Sequence, residues 1–215
     1  MLPPYSTGVN IDDVTQVRPY RGVAAPQRLA ERRRRFLDAG LDLLSSEYDD
    51  LTVRAICRSA GVATRHFYEA FTDKDEFVAA VFDSVVGAIA ATTQAAVAAV
   101  PPAAQNKAGI TNLVRTIGED ARIGRLLFDD KQSNTVLVRK RAELGGFFAV
   151  LATEHAQDVL PRAGVDQVKA IAHFVVGGVS QTINGWLSGA IALTADELID
   201  LLTAVLDNFP DPRRP

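Results

Sequence analysis

The chain has 215 residues, of which 47% are hydrophobic, which is enough for a substantial core in one or two domains. Its single cysteine, Cys57, excludes an internal disulfide, and without Cys/His spacing we expect no metal site. No run of 18 apolar residues is free of charged or strongly polar residues, and residues 1–20 lack the features of a signal peptide. We therefore expect a cytoplasmic protein that does not engage a membrane.

The net charge of −3 is unevenly distributed along the chain. Residues 18–74 carry 11 Lys/Arg against 8 Asp/Glu, a net charge of +3, whereas the remainder carries −6. A basic front on an acidic body fits a protein that meets phosphate with one end, although chance variation also produces so small a difference.

The first part of the chain predicts an arm followed by three helices. Residues 1–25 contain three prolines and no apolar periodicity, and we expect a flexible N-terminal arm. Apolar residues at three- and four-residue spacing predict a helix over 27–46. Thr52 is a candidate N-cap for a short helix that ends at Gly61, and a second short helix follows over 64–71.

The remaining sequence is also helical. Asp73 and Glu76 have the spacing of a capping box and predict a long helix that Pro101 ends near residue 100. Thr194 and Glu197 predict a second capping box. Further helices are predicted over roughly 104–118, 120–128, 134–159, 166–192 and 195–208. No stretch alternates with period two for long enough to predict a strand, so the fold class is all-α.

The two short helices have helix-turn-helix spacing. The turn requires a left-handed residue, which Gly61 supplies, and we expect Val62 to be buried so that the helices keep a fixed angle. The second helix presents Thr64, Arg65 and His66 at its N-terminal end, which is the end that enters a major groove.

The run from Leu51 to Phe77 resembles the DNA-binding segment of TetR-family regulators, and the resemblance covers about residues 28–82. The matching residues are Thr52, Ile56, Ala60-Gly61-Val62, Phe67-Tyr68, Phe71, Asp73-Lys74-Asp75 and Phe77. The resemblance implies an N-terminal three-helix domain over 26–72, joined by a long helix to a ligand-binding and dimerisation domain over 73–215.

The chain departs from the family pattern at two positions. The family usually has a glycine between its first two helices, where this chain has Glu47-Tyr48-Asp49-Asp50-Leu51. The recognition helix usually opens with serine, where this chain has Ala63, so an N-cap bond must come from elsewhere or be absent.

We expect DNA contacts from Thr52, Arg54, Thr64, Arg65, His66, Tyr68 and Lys74. Arg65 is the candidate for reading guanine, with a phosphate contact as the alternative. Tyr68 resembles the family's phosphate-contacting tyrosine, or it is half-buried core. The alternative for Thr52 is a cap alone, and for His66 it is a packed or solvent-facing histidine. Residues 32–35, all arginine, are candidates for phosphate contacts, and Arg18 and Arg21 for a minor-groove arm, unless that segment is a disordered tail.

The resemblance implies a homodimer. The predicted helix 166–192 is almost free of charge from Ile171 to Ile191, so most of its faces must be buried. The candidate interface residues are Gly178, Gly185, Gly189, Leu198 and Leu202. A four-helix interface follows, with two half-sites read one helical turn apart, and burial within one chain is the alternative.

The resemblance also implies a small-molecule effector. Apolar candidates for the pocket, with one histidine, are Leu113, Ile117, Phe128, Phe147, Phe148, Leu151, His155 and Phe174. We expect an apolar or amphipathic ligand. The basic triplet at 139–141 suits an acidic head group, such as that of an acyl thioester cofactor, or else forms a solvated surface.

The resemblance implies a ligand-responsive regulator, with the family's default role of a repressor that a small molecule releases from a palindromic operator. Ligand and DNA are then expected to weaken each other's binding. The long helix is expected to tilt. The alternatives are a ligand-binding or scaffold protein with a degenerate head, and an architectural DNA-binding protein without effector. We find no nucleophile elbow, phosphate loop, HExxH or paired carboxylates, so we expect no enzyme and no cofactor.

Overall fold

The computed structural model describes residues 25–46, 51–129, 134–146 and 165–208, and within these ranges it contains helices and no strand. The all-α prediction is confirmed. The helices are α1 (Ala25–Leu44), α2 (Val53–Ala60), α3 (Thr64–Ala70), α4 (Lys74–Ala98), α5 (Gln105–Glu119), α6 (Ala121–Phe128), α7 (135–146), α8 (Val165–Leu187) and α9 (Ala195–Asp207), with a 3-10 turn at Pro102–Ala104 before α5.

Local chemistry sets the ends of α2 as predicted. The Thr52 hydroxyl accepts from the Ala55 N–H at 3.1 Å and caps the helix. Gly61 ends it with φ of 61°, in the left-handed region that favours glycine. Val62 is half-buried against the core, and Ala63 makes no side-chain cap bond to α3.

The two predicted capping boxes differ in the structure. Thr194 and Glu197 form the complete box. At α4, Asp73 accepts from the Glu76 N–H at 2.8 Å, but the Glu76 carboxylate accepts from the N–H of Thr72 at 2.6 Å instead of that of Asp73. The second half of that box therefore closes one residue earlier in the chain.

The predicted end of α8 is wrong. The helix ends at Leu187 instead of residue 192, because Gly189 adopts a φ of 77° and the chain turns towards α9. The indole N–H of Trp186 donates to the Leu193 carbonyl at 2.8 Å and holds this turn. The apolar run continues through the turn and hides it in the sequence. Of the predicted helix 134–159, the part beyond 146 lies outside the described residues, as do the arm at 1–24 and the loop at 47–50.

Two clusters of buried side chains form the core. The first lies among α1–α4, α6 and α7, and the second joins α5, α8 and α9. Leu113 on α5 and Phe128 on α6 pack against both clusters. Helix α4 and the contact between α1 and α6 therefore connect the N-terminal head (α1–α3) to the body (α5–α9).

Helix α4 is long and apolar enough, by length and composition, to cross a membrane. Core helices share this composition, and α4 packs against α1, α5 and α6. It buries Phe77, Val78, Val81, Phe82 and Ile89. Its apolar character thus serves the protein core between residues 77 and 89.

Candidate nucleic-acid interface

An aromatic cluster fixes α3 on the head. The rings of Phe36, Phe67, Phe71 and Phe77 lie 5.2 to 5.9 Å apart, and each side chain is at most 2% exposed. Several pairs meet edge to face, the arrangement that the ring quadrupole favours. Aromatic side chains have few rotatable bonds, so α3 stands on a rigid base.

The exposed face of α3 presents polar side chains to solvent. Thr64 and Arg65 are exposed at its N-terminal end. Tyr68 is 60% exposed, and its ring meets Phe67 edge to face at 5.4 Å. Thr64, Arg65 and Tyr68 are therefore together on one accessible face of α3.

His66 lies inside a charged cluster beside that face. Its Nδ1 is 2.8 Å from Glu69 Oε2, and the Arg65 Nε–H donates to its Nε2 at 3.4 Å. The Arg32 guanidinium approaches both His66 and Glu69. The hydrogen bond from His66, with the charges of His66, Arg32 and Arg65, holds the pKa of Glu69 below its usual range. His66 thus lies near the N-terminal end of α3 and also contacts side chains of α1 and α3.

The other candidate contacts lie at two helix N-termini. Thr52 and Arg54 are exposed at the start of α2, and Lys74 is exposed as the first residue of α4. Two N–H groups at the start of α4 already bond to Asp73 and Glu76. The bond from the Thr72 N–H lowers the pKa of Glu76. These two donors are consequently occupied, and Lys74 contributes its own charge there.

The arginine run on α1 makes contacts within the protein. Arg33 donates to the Ala70 carbonyl, Arg35 to the Gly61 carbonyl, and Arg34 pairs with Glu31 on its own helix. The sequence suggested phosphate contacts for these arginines and gave no indication of these bonds within the protein.

The predicted dimer residues are not on one surface. Gly178 is open to solvent, but a Cβ on Gly185 would meet Ile191 at 2.9 Å, and Gly189 lies beyond the end of α8. Leu198 and Leu202 are buried in the second cluster of their own chain. The exposed large apolar side chains of α8 and α9 are instead Phe174, Leu187, Leu201 and Val205. The four-residue spacing of Leu201 and Val205 in the sequence could have indicated that they share one face of α9.

The predicted pocket residues are partly together. Leu113 and Phe128 are half-buried where the two clusters meet, and Ile117 is buried beside them. Phe174 is 68% exposed on α8, which separates it from this group. Phe147, Phe148, Leu151 and His155 lie outside the described residues.

The basic triplet also contacts the protein. Lys140 pairs with Asp83 of α4 at 2.8 Å, and Arg141 donates to the Leu126 carbonyl at the end of α6. Arg139 lies 3.6 Å from Glu143 of its own helix. The triplet therefore packs α7 on its neighbours and is not simply a solvated run.

Two arginines of α6, missed in the sequence, contact the end of α1. Arg122 bonds to Asp42 of α1 at 2.6 Å and to Asp120 at 2.7 Å. These bonds lower the pKa of Asp120 and raise that of Arg122 further above its usual range. Arg125 donates to the Ser45 carbonyl at 2.8 Å, just beyond the last residue of α1. The body thus holds the head through side chains three residues apart.

Residues 36–81 match the family described as bacterial regulatory proteins, tetR family. Comparison with curated proteins gives no match.

Solved structures of similar fold include the fatty acid degradation regulator FadR from Bacillus halodurans, at 16% identity and TM-score 0.67 over 86% of this chain and 97% of the other. FadR from Bacillus subtilis in complex with stearoyl-CoA is 18% identical, with TM-score 0.64 over 81% and 97%. A putative TetR-family regulator from Syntrophomonas wolfei is 15% identical, with TM-score 0.68 over 83% and 95%. Residues 36–81 therefore match the DNA-binding domain of the tetR family, and the described part of the chain has a fold similar to that of TetR-family regulators.

Proposed function

We propose that the protein is a dimeric repressor of the bacterial cytoplasm that binds a palindromic operator and is released by an apolar or amphipathic small molecule. The observation that carries this proposal is the exposed face of α3, where Thr64, Arg65 and Tyr68 stand on a buried aromatic base. A scaffold protein with a degenerate head has no need for such a face.

Arg65 is the side chain that we assign to base reading. It is exposed on the second residue of α3, and its Nε–H bonds to His66, which leaves the Nη donors for guanine O6 and N7. Such a bidentate pair contributes about 1–3 kcal/mol of discrimination between bases. Thr64 and Tyr68 lie beside it for a thymine methyl or for phosphates.

We assign dimerisation to the outer faces of α8 and α9. Phe174, Leu201 and Val205 expose 68%, 47% and 49% of their surface, and a Cβ on Gly178 of α8 would meet no atom within 4 Å. Exposed large apolar side chains on adjacent helices favour a partner surface. A two-fold dimer then places two recognition helices for two half-sites.

We assign the effector to the region where Leu113, Ile117 and Phe128 meet between the two clusters, with Phe147, Phe148, Leu151 and His155 as further candidates. Apolar walls favour an apolar ligand body. B. subtilis FadR has been solved with stearoyl-CoA, so a long-chain acyl thioester is the first class to test.

Release follows from the contacts between body and head. Helix α6 contacts α1 through Arg122 and Arg125, while Gly124 on the same helix packs against Leu187 of α8. A ligand that moves the body therefore moves α1, and with α4 it changes the separation of the two recognition helices. Ligand and operator weaken each other by the same factor.

The first experiment measures binding of the purified protein to duplexes that flank its own gene, by fluorescence anisotropy at several salt concentrations. We expect saturable binding to one palindrome, much tighter than to a scrambled duplex. Arg65→Ala should abolish the preference, whereas Arg34→Ala, which removes an exposed arginine of α1, should keep it. Equal weak binding to every duplex, including those selected from a random pool, would contradict the proposal.

The second experiment adds candidate effectors to the complex. Stearoyl-CoA should release the palindrome at lower concentration than coenzyme A or stearate alone. Release by strongly polar compounds only would contradict the apolar pocket.

A further inference from the structure

Two arginines of α1 donate hydrogen bonds to the backbone at the two ends of the segment that contains the recognition helix. Arg33 Nη1 donates to the carbonyl of Ala70, the last residue of α3, at 2.9 Å. Arg35 Nη2 donates to the carbonyl of Gly61, which ends α2, at 3.1 Å. Carbonyls at helix ends lack partners within the helix, so both arginines satisfy acceptors that would otherwise need water.

A second contact holds the Arg33 guanidinium, and the Arg35 guanidinium lies close to the glycine that it bonds to. The Arg33 guanidinium lies 4.6 Å from the ring centre of Phe71, which is 2% exposed in the aromatic cluster. A Cβ on Gly61 would lie 2.7 Å from Arg35 Nη2, so that guanidinium lies close against the glycine. Stacking on Phe71 and the planar shape of the guanidinium group both restrict the motion of the Arg33 side chain.

We propose that Arg33 and Arg35 are positioning residues that set the orientation of α3 for base reading, and that they do not act mainly through phosphates. This inference rests on the proposed function. Helix α3 has seven residues and no side-chain cap bond at Ala63, so local interactions define its direction weakly. The aromatic cluster holds the middle of α3 through Phe67, and the bonds from α1 add a restraint at each end of the segment.

Arg34 provides a matched comparison within the same run. Its guanidinium bonds to Glu31 on α1 itself, at 2.8 and 3.1 Å. It has the same charge and nearly the same place in the chain. If charge alone mattered, Arg33, Arg34 and Arg35 would behave alike.

Lysine substitution separates position from charge, because lysine keeps the cation and loses the planar fork. The probes are the palindromic duplex from the first experiment and a scrambled duplex of equal length. Arg33→Lys and Arg35→Lys should each lose about three- to tenfold in affinity for the palindrome, with unchanged binding to the scrambled duplex, as expected for an exposed charge-assisted hydrogen bond. Arg34→Lys should change neither.

The salt dependence of binding tests the phosphate alternative. A phosphate contact adds about 0.9 to the slope of log K against log salt. Arg33→Gln and Arg35→Gln should leave that slope unchanged and lose the same specific affinity as the lysine variants. Slopes reduced by about 0.9 per substitution, with both duplexes weakened equally, would overturn the proposal.

Hydrogen exchange of the DNA-free protein distinguishes failure of this inference from failure of the proposed function. Amides of α3 should exchange faster in Arg33→Lys and Arg35→Lys than in Arg34→Lys, while those of α4 and α5 stay unchanged. Unchanged exchange in α3 would overturn the positioning role even where no operator is found. Faster exchange in all helices alike would show general destabilisation and would also overturn it.

Discussion

Replacing Gly40 with alanine will destabilise the protein, although alanine is the better helix former. Gly40 lies on α1 where that helix crosses α4. A Cβ at this position would lie within 3.0 Å of Val81 Cγ2 and at 2.6 Å from Phe77 Cζ. Both neighbours are buried, with exposures of 1% and 0%, so neither can move freely.

The magnitude follows from two opposing effects. Glycine to alanine within a helix gains about 1 kcal/mol of intrinsic stability. An extra methyl group in a packed core costs about 1–3 kcal/mol. The upper part of that range applies, because Phe77 lies 5.2 Å from the Phe71 ring and 5.7 Å from the Phe67 ring and cannot rotate without displacing them. We expect a net loss of about 1–2 kcal/mol.

Urea unfolding at a fixed protein concentration measures this loss, with Gly87→Ala as the control. Gly87 is exposed on α4 and has no atom within 4 Å of a built Cβ, so alanine there should stabilise the fold by up to about 1 kcal/mol. Adding Val81→Ala to Gly40→Ala should cost less than Val81→Ala alone, because it removes the clashing methyl. Equal stability of Gly40→Ala and Gly87→Ala would refute the close crossing of α1 and α4.

Three further predictions concern a cap, an ion pair and the contact between head and body. Thr52→Ala should lower the free energy of unfolding by about 1 kcal/mol, whereas Thr52→Ser should retain most of the stability that the cap provides. Equal melting curves for Thr52→Ala and the unmodified protein would contradict the cap to Ala55. The Arg122 hydrogen bond lowers the pKa of Asp120 in the folded protein, so this carboxylate stabilises the fold above the pKa of an unfolded aspartate and loses that effect as pH falls through the folded value. In Asp120→Asn, the free energy of unfolding should therefore fall less steeply with decreasing pH below about pH 4. The same pH dependence in the variant and the unmodified protein would contradict this role of Asp120. Arg122→Met, which removes the bond to Asp42, should keep operator binding and weaken release by effector several-fold; full release would show that the signal takes another route.

The ends of the short helices could be predicted from the sequence because local chemistry determines them. Thr52 and Gly61 act within four residues of themselves, and their cap and left-handed turn appear as expected. Part of the aromatic core of the head is also visible in the sequence, since Phe67 and Phe71 are four residues apart, which is helical spacing. Such signals do not depend on how distant segments pack.

Contacts between distant segments left no such signal. A run of four arginines looks the same whether it faces phosphate or the backbone of another helix, and Arg33 bonds to a carbonyl 37 residues away. Leu198 and Leu202 belong to an amphipathic helix, but the periodicity does not show whether their face meets the same chain or a partner. The bonds from Arg122 and Arg125 to α1 join residues 80 apart in sequence.

The crossing at Gly40 bears on how a small change in the body reaches the DNA. Because α1 and the first turns of α4 pack without space for one methyl group, the head and the N-terminal part of α4 must move together. Helix α4 has 25 residues, so at 1.5 Å per residue it is a lever about 37 Å long. A tilt of about 5° then moves its far end by about 3 Å, which is comparable to the full length of a hydrogen bond to a base. In the dimer that we propose, opposite tilts of the two subunits would double this displacement between half-sites. A modest rearrangement where α5 and α6 contact α4 would then be sufficient for the proposed release from the operator.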